Sequence, residues 1–142
     1  MTADLPLVFS LAPEVLRSAP AFSAFRKGVE IARLYREGRG GASAAFLRYA
    51  PGASIPLHRH LGYEHILVLE GAQEDERGRY AAGTFVVNPP GSSHSVRSVS
   101  GCLVLVVWQR PVVFAPEADV AKGHEDTAWS RSRHDEETPI PR

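Results

Sequence analysis

Four side chains in this chain have the types and spacing to do chemistry together: His58, His60 and Glu64, and then His94. They stand inside two spaced patterns, Gly52-x5-His58-x-His60-x3-Glu64-x6-Gly71 and Gly83-x5-Pro89-x-Gly91-x2-His94. Three neutral imidazoles and one carboxylate are good ligands for a single divalent transition metal, and they leave it with residual positive charge. An ion that prefers six-coordination keeps two adjacent positions for water, dioxygen or a pair of substrate oxygens, so Lewis-acid or oxygen chemistry becomes possible. The donor set accepts zinc or iron, and equally manganese, nickel or cobalt.

Such a set converges only if strands and turns bring it together. Residues two or four apart on a strand face the same side, which lets 58, 60 and 64 meet, while a second strand must carry His94 across. Pro51-Gly52 turns the chain into the strand bearing the first two histidines, Leu61-Gly62 loosens it before Glu64, and Glu70-Gly71 ends the next strand. Asn88-Pro89-Pro90-Gly91 is a rigid turn that delivers His94. Short strand-like runs extend to both sides: Val29 to Arg36, Ser43 to Tyr49, Ile55 to His60, Glu64 to Leu69, Phe85 to Val87, Ser93 to Ser98, Cys102 to Trp108 and Val112 to Phe114. With almost no helical period, this pattern predicts an all-β sandwich or barrel. Pro6, Pro13 and Pro20 restrict the start of the chain to one short helical turn, placed at Glu14 to Ser18. The expected division is an N-terminal extension over 1–28, a barrel over 29–114 and a polar C-terminal tail over 115–142, with a short helix near Glu117 to Lys122. Trp129 offers that tail an anchor, against the domain or a second subunit.

The bulk numbers bound the rest. With 142 residues the chain can bury a core in one domain. Lysine plus arginine and aspartate plus glutamate number 16 each, so no net field argues for nucleic acid or an anionic membrane. A single cysteine, Cys102, excludes an intrachain disulfide framework and fits a reducing compartment; with no secretory signal apparent, a cytoplasmic location is expected. The longest apolar run, Cys102 to Trp108, reads as a buried strand, too short to span a bilayer.

Both patterns resemble, residue for residue, the two signature motifs of the cupin superfamily, departing only at Ser98, where the second motif usually ends in asparagine. Leu47-Arg48-Tyr49-Ala50-Pro51-Gly52 through Gly101-Cys102 is similar to the ChrR-like cupin domain, the likeness spanning Val29 to Val107. It implies a cupin (RmlC-like jelly roll) β-barrel, a metal held by His58, His60, Glu64 and His94, and a homodimer. The zinc-binding helical domain through which ChrR-type anti-sigma factors hold their sigma factor has no counterpart in the first fifty residues, which lack histidine and cysteine. A sigma factor is therefore not expected as a partner. The strands between 29 and 49 are candidates for pairing with a second subunit.

Two functions compete. The first is a metal-dependent dioxygenase-type enzyme on a small oxygenated or dicarbonyl compound, with Glu64, His65, Tyr63 and Arg48 as candidate catalytic residues. The second is a zinc-binding ligand- or oxidant-sensing module, for which an accessible Cys102 would be telling. A structural zinc without turnover is a third reading. The plainer alternatives stand beside each residue: His65 points away from the ligands by strand parity, Cys102 reads as a buried inert thiol, and Trp108 as core. Arg48 suits either the cavity or a solvated face. The Gln73-Glu74-Asp75-Glu76-Arg77 run reads as a solvated hairpin tip, and His124 and His134 as solvated tail residues.

Overall fold

The computed structural model describes residues 5–16, 18 and 20–116. The short helix Glu117 to Lys122, His124, Trp129 and His134 lie outside the described residues. The helical turn, α1, runs Pro13–Leu16, with Pro13 at its first position, where a missing N–H costs nothing. Ten strands follow: β1 Ser23–Arg26, β2 Val29–Arg36, β3 Ser43–Tyr49, β4 Ala53–His60, β5 Glu64–Asp75, β6 Gly78–Ala81, β7 Phe85–Asn88, β8 Ser93–Ser98, β9 Cys102–Trp108 and β10 Val112–Phe114. Every pairing is antiparallel. The main path runs β1-β2-β3-β9-β5-β8-β4-β10, with β6 and β7 both paired to β5. The sheet curls on itself, as a cupin barrel does.

Strand β5 turns the corner between two half-sheets. Its first part pairs with β9 and β7, and its second with β6 and β8. Gly71 permits the corner at φ +73°, and a Cβ there would lie 2.1 Å from the Gly101 carbonyl oxygen. Only glycine fits. Between the half-sheets lies the main core, including Ile31, Leu47, Ile55, Ile66, Val104 and Trp108. A second cluster of Leu16, Ala32, Phe46 and Leu103 forms on the outer face of β2, β3 and β9, where the N-terminal segment lies across the sheet. Phe9 meets Phe46 edge-on at 5.7 Å. Burial on both faces explains why β3 and β9 read as continuous apolar runs rather than alternating ones.

Three expectations change. Strand β1 falls inside the stretch assigned to the N-terminal extension, yet it pairs with β2 and so begins the sheet. Strand β3 has both edges taken, by β2 and β9, and β1 covers the outer edge of β2 only from Val29 to Ile31, so within residues 29–49 the edge offered to a second subunit narrows to the later part of β2. The run from Gln73 is a solvated hairpin tip only at Glu76 and Arg77, the exposed turn between β5 and β6: Gln73 is buried and the Asp75 side chain is only 3% exposed, because the end of β5 folds over the barrel instead of leaving it.

Candidate metal centre

His58 and His60 lie on β4, Glu64 opens β5 and His94 lies on β8 directly opposite His58. Simple alternation does not produce this. Along β4 the inward positions are Ala53 and Ile55, then His58 and His60, and the switch of parity coincides with a break in register between Ile55 and His58. The bulge contains Pro56, which has no N–H to lose from the ladder. Its carbonyl oxygen accepts a 2.8 Å hydrogen bond from Nδ1 of His58. One feature thus turns both imidazoles inward and fixes the first. Glu64 meets them from a different strand, after the chain has turned through Leu61-Gly62-Tyr63.

All four side chains are buried, and one ligand atom from each comes within 4.8 Å of every other. Each imidazole is oriented from behind. His60 Nδ1 lies 2.9 Å from Ser92 Oγ, and that hydroxyl donates at 2.6 Å to the Pro89 carbonyl, so it must accept from His60. His94 Nδ1 donates to Asp75 Oδ2 at 3.0 Å. With Nδ1 carrying the proton in all three rings, each Nε2 is free to offer its lone pair. His60 Nε2 and His94 Nε2 are buried without a hydrogen-bond partner among the described residues, facing Glu64 Oε1 at 3.1 and 3.5 Å. Orphaned inward nitrogens around a carboxylate are what a cation would satisfy. The donor set therefore fits a divalent metal.

The carboxylate is prepared in the same way. Asn88 Nδ2 donates to Glu64 Oε1 at 2.9 Å, and Trp108 Nε1 donates to Oε2 at 2.8 Å. Burial pushes the Glu64 pKa up, but hydrogen bonds and positive charge from the facing His60 and His94 rings, where an inward proton takes the place of an ion, outweigh it and hold the group well below the usual carboxylate range. Burial dominates at His58, whose pKa falls to about 4 despite the attraction of Glu64, so this ring is neutral at physiological pH. His94, between Glu64 and Asp75, goes the other way: burial lowers its pKa, and the two carboxylates more than restore it.

A small cavity of about 20 Å³ adjoins the cluster, lined in part by His58, Glu64, His94, Tyr49, Gln73 and Trp108. It has room for roughly one water-sized molecule. Gln73 Nε2 donates to the Tyr49 hydroxyl at 3.3 Å, and burial raises the Tyr49 pKa well above 10, so the phenol stays protonated beside the cluster. Strand β10 places a ring against His58: Phe114 lies 5.4 Å from the imidazole, and the Arg26 guanidinium lies 4.0 Å over Phe114.

The other candidate residues stand outside the barrel. Arg48 projects to the outer face, where it binds Glu30 Oε1 at 2.9 Å and lies 4.0 Å over Phe22. Tyr63 is exposed, and the His65 ring lies between Tyr63 and Phe85 at 6.3 and 5.6 Å. Of the four, only Glu64 is at the cluster. Asp75, Asn88, Ser92, Tyr49 and Gln73 escaped sequence reasoning, although Asn88 sits next to the turn prolines and Ser92 just past them. Trp108, expected as core, is core and also a donor to Glu64.

Comparison with known proteins agrees with this picture. The ChrR cupin-like domain model matches residues 15–112. The anti-sigma-E factor ChrR of Cereibacter sphaeroides is 35% identical over 78 residues, 53% of this chain and 37% of that protein. The chain thus spans well under half the length of this relative. In the crystal structure of Rhodobacter sphaeroides SigE in complex with the anti-sigma ChrR, a chain superposes with a TM-score of 0.60 at 26% identity, covering 75% of this chain and 70% of the other. That likeness removes support for the exclusion of a sigma factor as partner. An acetylacetone dioxygenase from Acinetobacter johnsonii shares the fold at a TM-score of 0.67 and 15% identity, covering 93% of this chain and 95% of the other. On its signature residues, its strand order and the family match, the chain belongs to the ChrR cupin-like family.

Proposed function

We propose that this chain is a metal-holding cupin that acts as a ligand- or oxidant-sensing regulatory module, with one divalent ion, zinc in the simplest case, held by His58, His60, Glu64 and His94. One observation carries the reading: the four ligands are buried, and the adjoining cavity of about 20 Å³ has room for roughly one water-sized molecule. A dicarbonyl substrate does not fit in that space. When bound, the ion would supply a Lewis-acid centre or, if redox-active, a site for oxygen chemistry. The chain's own residues do the rest: the Nδ1 hydrogen bonds hold three rings with Nε2 inward, Trp108 and Asn88 fix the carboxylate, and Tyr49 presents a neutral hydroxyl to the cavity. Sensing in this reading does not pass through Cys102, which is buried with its pKa pushed up by burial to about 11. Its partner is a protein surface that distinguishes the loaded from the unloaded barrel, a sigma factor among the candidates.

The dioxygenase reading draws on a different observation, the Tyr49–Gln73 pair lining the same cavity as three of the ligands. It requires the Phe114 side to open. Oxygen uptake by the iron-loaded protein against a panel of diketones and aromatic ketones decides between the two. The sensing reading expects none; uptake that depends on substrate and is lost in His94→Ala would replace it with the enzyme. A homodimer belongs to either reading and is checked by sedimentation.

A further inference from the structure

Arg26 holds a charge that no carboxylate among the described residues answers. Its Nε is buried without a hydrogen-bond partner, and its guanidinium lies over two rings, 4.0 Å from the Phe114 centroid and 5.7 Å from that of Phe25. Burial lowers its pKa from the usual arginine value. The placement follows from a break in register on β1 between Ala24 and Arg26. In regular alternation Phe25 and Arg26 would face opposite ways; the bulge lets Phe25 pack on the core while Arg26 stays beside it at the rim. Arg26 also borders a depression of about 440 Å³ with Lys27, Ser54, Pro51, Ala53 and Pro56. No acidic side chain lines it.

We propose that Arg26, with Lys27 and Ser54, forms a binding site for an organic carboxylate at the rim of the barrel. A guanidinium held against an aromatic ring is fixed in place, and its outer nitrogens present a fork that matches one carboxylate. One guanidinium and one ammonium with no carboxylate beside them attract an anion, and the prolines and alanine give an apolar body somewhere to lie. The site is built by the chain alone and needs no ion in the barrel, so its failure leaves the sensing reading untouched, and the converse holds. It does reach the metal side: Phe114, which the anion would meet behind Arg26, is the ring that covers His58.

Sodium benzoate is the probe, titrated into the full chain at constant ionic strength and followed by backbone amide NMR, with sodium chloride and inorganic phosphate as parallel titrants. Saturable shifts confined to residues 25–28 and 51–56 are expected for benzoate. Arg26→Met, which keeps an apolar stem on Phe114, should weaken benzoate binding about tenfold or more. Arg26→Lys, with the charge but not the fork, should fall between, and Lys27→Gln should lose a fewfold at most. The proposal is overturned if benzoate never saturates the wild type, if the folded Arg26 variants bind it as the wild type does, or if phosphate displaces it and so marks a phosphate site instead.

Discussion

At the scale of single residues, the cluster divides into groups that would touch an ion and groups that hold them in place. Replacing a member of the first set, as in His58→Ala or His94→Ala, should abolish stoichiometric metal by elemental analysis; unchanged metal in both would remove the assignment. Asp75 belongs to the second set, since it orients His94 through Nδ1. Asp75→Asn should lower metal affinity about 10- to 100-fold in competition with a chromophoric chelator, while leaving the fold intact. The pH dependence has a definite sign. An ion needs His94 neutral, and its pKa is raised, so affinity should fall as pH drops through that raised value and level off above it. His58, already neutral down to about pH 4, contributes nothing to that slope. Cys102 makes the opposite kind of prediction: with a pKa near 11 and little exposure, it should resist iodoacetamide at pH 8 in the native protein and react rapidly once the protein is unfolded. The four ligands were legible in the sequence because their types are rare and their spacing is marked by turn glycines. Asp75 was not, since a carboxylate in an acidic, arginine-containing run looks the same on paper whether it faces water or an imidazole.

At the scale of elements, strand positions were largely readable and their bends were not. Alternation locates β4, but nothing local announces that Pro56 and Leu57 form a bulge, because bulges are decided by the partner strand. Alternation likewise sends His65 outward correctly, whereas Arg48 was undecided until the outer-face partner Glu30 was known. The corner at Gly71 is the most testable element. Gly71→Ala forces a Cβ against the Gly101 carbonyl at a positive φ, and should cost about 2 kcal/mol or more in a denaturation experiment through backbone strain and the clash together. Gly78→Ala, with nothing within 4 Å of the added carbon, removes the clash and serves as the comparison.

At the scale of the molecule, the core between the half-sheets is built from buried apolar side chains, none of them one of the four ligands. Chelation should therefore lower the melting temperature while the far-ultraviolet spectrum stays that of a β-protein. Restoring metal at a thousandfold excess over Kd should return about 4 kcal/mol of stability. Complete unfolding on chelation would instead favour a structural ion. The barrel as a whole was foreseeable from strand spacing; its second, outer core was not, because the N-terminal segment that helps cover β2, β3 and β9 carries too little periodicity to declare where it lies. Among the described residues no helix is long and apolar enough to cross a membrane.

Strand β5 holds the His94 ring from both sides, with Glu64 near its start facing Nε2 and Asp75 at its end bonded to Nδ1. A single ribbon, bent at Gly71, closes on one imidazole like a pair of callipers. Its length is therefore a gauge. An extra residue between 65 and 74 would put the jaws out of step, whereas one at the Gly38–Gly40 turn would change nothing at the ring. The first insertion should cost the metal and the second should not, which makes the number of residues in β5, as much as their identity, a property that the site holds fixed.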